Sequence, residues 1–172
     1  MGKVILICGK ICSGKSYYAN QLRNQENAVI LGTDEVTYDL FDNNLGDKHD
    51  EMGIRINKYL MKKAVEIAKA GCNVILDWGF WTSRERGKIT DYFKLNNIKI
   101  EWHYIDIDDE TYQKNIAERN NRVLNGNGGS DYFVDDGLLN KVLSVFEKPN
   151  KSKIDIWFRL ERKLNFSKNP LA

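Results

Sequence analysis

No apolar run in this sequence approaches the roughly 18 residues that a membrane-spanning helix needs. The apolar stretch after Met1 is also too short for a leader, and it ends in a glycine loop rather than a cleavage site. An N-myristoylation signal opening Met1-Gly2 needs Ser or Thr where Leu6 stands. Histidine is scarce: His49 and His103 are the only ones, and neither has ligand spacing. Together with an odd set of cysteines, Cys8, Cys12 and Cys72, this argues against a zinc centre and a disulfide scaffold. Free thiols point to a reducing, cytoplasmic setting. A strong excess of either charge is missing too. The net charge of +2 is too small for bulk nucleic-acid binding. It is unevenly spread. Lys148, Lys151, Lys153, Arg159, Arg162, Lys163 and Lys168 are set against Asp155 and Glu161 alone, as a solvated face or an anion-binding edge.

What is present is a folded chain. Its 172 residues are 42% hydrophobic, which predicts one domain over 1–172 with a sizeable core. Short β-rich runs at 3–8, 28–32, 72–77 and 98–106 read as buried parallel strands. Helical patterns lie at 15–24, 50–70, 82–96, 109–124 and 137–147, with Gly71 closing the second and Thr82 and Glu85 boxing the start of the third. The alternation predicts an α/β, three-layer fold, and the Gly9–Ser16 loop after the first strand makes it a P-loop NTPase fold. Its mostly parallel sheet would have four or five strands, with helices on both faces. The segment 150–172 is ambiguous, because "KIDIWFRLERKL" fits a strand running into a helix or one amphipathic helix.

The first strand runs into Gly9-Lys10-Ile11-Cys12-Ser13-Gly14-Lys15-Ser16, a complete G-x-x-x-x-G-K-S phosphate loop followed by a helix. The glycines let backbone N–H groups close around phosphate oxygens, and the helix points its positive end at the same anion. Lys15 has the reach for the β- and γ-phosphates, and Ser16 has the hydroxyl for Mg²⁺. Tyr17 closes the run taken as nucleotide-binding, although it and Tyr18 read as packing residues.

In open α/β sheets ligands bind beyond the carboxyl ends of the strands. The second strand ends at Gly32-Thr33-Asp34-Glu35, the third at Asp77, the fourth at Asp106 and Asp108. Asp34 and Asp77 therefore face the γ-phosphate region as candidate base and metal support. Their bland alternatives are a helix N-cap for Asp34 and a strand-end turn for Asp77. Arg119 and Arg122 share one helix face beside the glycine-rich "NGNGGSD", a pattern that suits a lid over about 119–136 or an exposed charged face. Trp78, Phe80 and Trp81 follow Asp77, either as an acceptor wall or as core. Cys12, near a helix N-terminus, is expected to have a lowered pKa and to be alkylation-sensitive.

Three signals of nucleotide-hydrolysing classes are not met. A switch D-x-x-G is displaced, N-K-x-D is missing, and Trp78 stands where a water-activating Glu would follow Asp77. Transfer to a hydroxyl is favoured over hydrolysis. The stretches "CGKICSGKSYYANQL", "LGTDEV", "NVILDWGFW", "AERNNRV" and Glu147-Lys148-Pro149 resemble the small P-loop kinases of the zeta-toxin, chloramphenicol phosphotransferase and polynucleotide 5′-kinase type, especially their "predicted kinase" branch. That resemblance implies an ATP- and Mg²⁺-dependent phosphotransferase acting on a hydroxyl-bearing small molecule. Asp34 would be the base, Lys15, Arg119 and Arg122 the charge stabilisers, and Ser16 with Asp77 the metal side. A polynucleotide 5′-hydroxyl kinase is one alternative. A nucleotide-dependent regulator or toxin component with a protein partner is the other. The acceptor pocket is expected within residues 35–60 and 78–86.

Overall fold

A computed structural model describes residues 1–42 and 44–160. Five strands, β1 (Val4–Cys8), β2 (Ala28–Gly32), β3 (Asn73–Asp77), β4 (Ile100–Ile107) and β5 (Ile156–Leu160), form one sheet in the order β2-β3-β1-β4-β5. Every pairing is parallel. Six helices join them: α1 (Lys15–Glu26), α2 (Thr33–Phe41), α3 (His49–Lys69), α4 (Ser83–Leu95), α5 (Asp109–Leu124) and α6 (Asp136–Val145). The ambiguous segment supplies the fifth strand. The rest of that reading, from Glu161 on, lies outside the described residues.

The central strand explains the layering. All five residues of β1 are fully buried. Side chains alternate across a strand, so one apolar run feeds two cores. Val4, Leu6 and Cys8 join Leu60, Ala64, Ile89 and Phe93 from α3 and α4. Ile5 and Ile7 join Tyr18, Ala19 and Leu22 from α1 on the other face. A third cluster, with Ile11, Tyr112, Ile116, Val134 and Val142, ties the phosphate loop to α5 and α6.

Helix α2 is the element that periodicity did not reveal. Thr33, Val36, Thr37 and Tyr38 are poor helix formers, and the helix is nine residues long. Asp34 and Glu35 in its first turn favour it by meeting the helix dipole. Asp34 is therefore inside the helix, and Gly32 holds the N-cap position that Asp34 was weighed for. Helix α3 ends as expected, with Gly71 at φ +97° and its N–H on the Ala68 carbonyl at 3.1 Å. Thr82 caps α4 by accepting from the Glu85 N–H at 3.1 Å. Among the described residues no helix is long and apolar enough to cross a membrane.

Register decides where chemistry collects. Asp77 pairs with Ile7 on one side and Gly32 on the other. The ends of β1, β2 and β3 are therefore level, and the phosphate loop, Asp34 and Asp77 emerge at one edge. Phe93 anchors α4 to this sheet and is fully buried. Phe93→Ala is expected to destabilise by about 3–5 kcal/mol, read as a lowered denaturant midpoint with an unchanged slope.

Candidate active site

The phosphate loop turns on two backbone demands. Gly14 stands at φ +91°, a left-handed conformation that favours glycine. A Cβ on Gly9 would lie 2.6 Å from Ser13 Oγ, so this close turn needs glycine too. Ser13 Oγ is itself buried without a hydrogen-bond partner among the described residues. Lys15 folds back over the loop and donates to the carbonyls of Lys10 at 2.8 Å and Gly9 at 3.3 Å. Asn115 on α5 secures the loop from above by donating to the Cys12 carbonyl at 3.0 Å.

A cavity of about 960 Å³ opens beside this loop. Residues 11–17 line it, with Asp34, Asp77, Arg119 and Arg122, so those candidates share one space. Gly9 and Lys10 lie behind the wall. The Lys10 ammonium instead approaches the Tyr112 ring, 5.1 Å from its centroid. Asp77 is half-buried, with the Ser16 hydroxyl beside it. Removal from water pushes the Asp77 carboxyl above its usual range, against the pull of Ser16 and Lys15. Asp34 opens into the cavity. Its enclosing walls raise its carboxyl pKa, with a contribution from Asp77, while Arg119 and Lys15 oppose. The same desolvation lowers the Lys15 pKa against Asp77 and Asp34.

Arg119 reaches down from α5 to the loop. Its Nε donates to the Tyr132 carbonyl at 3.1 Å, its Nη1 lies 3.9 Å from Cys12 Sγ, and its guanidinium covers the Tyr132 ring at 4.6 Å. Arg122 is more open and pairs with Asp131 at 2.9 Å. Asn120 completes the connection, exchanging bonds of 2.8 and 2.7 Å with the Val134 carbonyl and N–H. The end of the glycine-rich segment and the residues after it are thus tied to α5 by three polar side chains.

Other candidates divide. Trp78 and Phe80 are buried in the main core, and Trp78 Nε1 donates to the Leu31 carbonyl at 3.0 Å. Both still show part of their surface to the cavity, and Trp81 shows more. Tyr18 packs as expected, with its hydroxyl 2.9 Å from His103 Nδ1. Tyr17 does not: it is 61% exposed and borders the cavity. Asp106 and Asp108 serve structure. Asp106 accepts from Trp157 Nε1 at 3.1 Å, and Asp108 caps α5 through Thr111 at 2.8 Å. The thiol expectation for Cys12 is overturned. Burial pushes its pKa up, outweighing the Arg119 and Lys15 charges that lower it.

Sequence reading missed Asn115, Asn120 and Asn57. Asn57 on α3 accepts from the Thr33 hydroxyl and lines the cavity. An asparagine carries no motif, and each of these acts through a partner far along the chain. The pocket range 78–86 contributes residues 78–81 and Glu85, whereas 35–60 contributes only from His49 onward among the described residues.

The family AAA_33, described as an AAA domain, matches residues 4–149. The chain belongs to that family. No curated protein sequence matches it. Solved structures match it at the level of fold. A sugar kinase from Janibacter sp. HTCC2649 has a TM-score of 0.64 at 14% identity, over 92% of this chain and 86% of that one. The Mycobacterium tuberculosis APS kinase CysC, in complex with AMPPNP and APS, has a TM-score of 0.65 at 15% identity, over 94% and 90%. The Pnkp1/Rnl/Hen1 RNA repair complex has 0.66 at 21%, over 83% of this chain and 43% of that one. This AAA_33 chain thus has the α/β P-loop fold of small kinases.

Two measurements check the site. A Cβ on Gly79 would fall 2.2 Å from Trp81 Nε1. Gly79→Ala is therefore expected to displace the Trp81 indole, changing tryptophan emission and costing about 1–3 kcal/mol. The raised Cys12 pKa predicts alkylation slower than that of free cysteine at pH 7, rising about tenfold per pH unit toward pH 9. Peptide-resolved mass spectrometry would report it.

Proposed function

We propose that this chain transfers the γ-phosphate of ATP to a hydroxyl of a small-molecule acceptor, as one kinase domain whose lid spans about 119–136. The observation that carries the reading is the placement of two carboxylates, Asp34 and Asp77, across one cavity from Lys15 and Arg119. Phosphoryl transfer asks mainly for positioning and charge stabilisation, and these four groups supply both.

The roles separate by contact. Of the loop Gly9 to Ser16, residues from Ile11 on hold the phosphates through backbone N–H groups, with Ser13 Oγ as a further unspent donor. Lys15 leaves the Lys10 and Gly9 carbonyls for the β- and γ-oxygens. Ser16 stands beside Asp77, and this oxygen-only pair fits a hard dication that takes its other ligands from phosphate and water. When bound there, Mg²⁺ supplies neutralisation of charge on the phosphate oxygens. That commits Asp77 to the metal side and leaves Asp34, on the adjoining helix, to accept the acceptor proton. Its raised pKa makes it a stronger base once ionised. Arg119 faces the loop and Arg122 holds Asp131, so the lid brings positive charge to the transferring group.

A polynucleotide acceptor draws less support. Lys148 and Lys151 lie over the Trp157 ring at 5.3 and 5.5 Å, and Lys148 also pairs with Asp106 at 3.4 Å. Neither lysine lines the cavity that holds Asp34.

Asp34→Asn tests the base. It is expected to lower kcat by about 10²–10⁴-fold with little change in ATP affinity. The base must be deprotonated to act, so wild-type kcat/KM should fall on the acid side through a pKa above the ordinary 3.8 of Asp. The variant should lose that limb. Near-normal kcat in the variant would assign the proton elsewhere.

A further inference from the structure

The cavity has two electrostatically different halves. Its described cations, Lys15, Arg119 and Arg122, all stand on the phosphate loop or on α5, where Asp77, Glu118 and Asp131 offset them. The other half is lined by Thr33 and Asp34, the first turns of α3, residues 78–81 and Glu85. Among the described residues that half has no lysine or arginine, but it carries Asp34, Asp50 and Glu85. His49 beside them is 3.5 Å from the Asp50 carboxylate, so that pair brings no excess positive charge.

Neighbouring cations stand off this wall: Arg84 and Lys48 are exposed and do not line the cavity. Arg86 follows Glu85 but is buried. Its Nη1 donates to the Phe80 and Trp81 carbonyls at 2.7 and 3.1 Å, and its Nη2 donates to the Glu147 carbonyl at 2.9 Å. It braces the aromatic tract from behind. Arg55 pairs with Glu51 at 2.8 Å along the outside of α3. Glu85 accepts from the Trp81 N–H at 3.0 Å, which fixes the turn and leaves its carboxylate on the wall. Trp81 adds an apolar ring face, and its Nε1 has no partner among the described residues.

An acceptor bearing phosphate, sulfate or carboxylate would set its anion among carboxylates with no guanidinium or ammonium to meet it. Anion sites are ordinarily built from such groups, and like charges brought together select against a ligand. A ring of C–H faces suits the indole, and hydroxyls or a protonated amine suit the carboxylates.

Resting on the kinase reading above, we infer that the acceptor is a polyol with no anionic group, amine-bearing in its preferred form, seated between Trp81, Glu85 and the start of α3. Its hydroxyl is presented to Asp34. The balance is that of phosphoryl transfer: the acceptor oxygen bonds the γ-phosphorus, the bond to the β-phosphate oxygen breaks, ADP leaves, and the hydroxyl proton goes to Asp34.

The test uses probes of nearly one size and three charges: glucosamine, glucose and gluconate, with a 5′-hydroxyl oligodeoxynucleotide as the polyanion. Each is titrated into protein saturated with AMPPNP and Mg²⁺, following tryptophan emission, and each is then offered with ATP. Glucosamine is expected to bind at least about tenfold more tightly than gluconate, with glucose between. Asp50→Asn should narrow the gap between glucosamine and glucose severalfold. Gluconate or the oligonucleotide binding as tightly as glucosamine, or no discrimination or response with any probe, overturns the inference. The two readings fail separately. Charge preference with ATP hydrolysis but no phosphorylated probe upholds this inference and counts against transfer. Phosphorylated gluconate or oligonucleotide upholds transfer and overturns this inference.

Discussion

The arrangement depends on the parallel pairing of β1 between β3 and β4. A strand buried on both faces and hydrogen-bonded on both edges has no freedom to slip, because a one-residue shift would exchange its two cores. Val4, Leu6 and Cys8 would trade places with Ile5 and Ile7, and the helices matched to each set would lose their contacts. That rigidity reaches the chemistry directly. The phosphate loop begins at the last buried residue of β1, and Asp77 is level with Ile7. The sheet holds the loop and the carboxylate level with each other, which sets Ser16 beside Asp77.

On this scaffold the cavity concentrates charge that water would otherwise weaken. Asp34, Asp77 and Lys15 are each shifted from their ordinary values, and removal from solvent is the first cause for all three. Opposite signs in one recess reduce the cost of holding each. The network also explains the Cys12 result. A thiol at a helix start is lowered where it meets water and raised where it is enclosed. Here enclosure wins, although Arg119 is 3.9 Å away.

Legibility in the sequence followed the range of the forces involved. The strands, the phosphate loop and the caps at Thr82 and Gly71 rest on local patterns and could be read directly. Asp34 could be placed at a strand end, but not within a helix, because α2 has weak propensity and is held by packing beside α3. The aromatic tract could not be apportioned between core and cavity, since Trp78 and Trp81 differ only in which neighbours cover them. Asn57, Asn115 and Asn120 were silent because an amide gains meaning only from its partner, and theirs are supplied by the fold.

The paired bonds between Asn120 and Val134 have a consequence for the chain that follows α5. With Arg119 on Tyr132 and Arg122 on Asp131, they clamp both stems of the intervening chain to a single helix. The stretch between them is thereby a closed loop, and closure entropy grows only with the logarithm of length, about 0.6 kcal/mol per doubling. Evolution or an engineer can thus lengthen its tip around Gly126–Gly129 at small cost to stability. The spacing of the clamp residues along α5 must be kept.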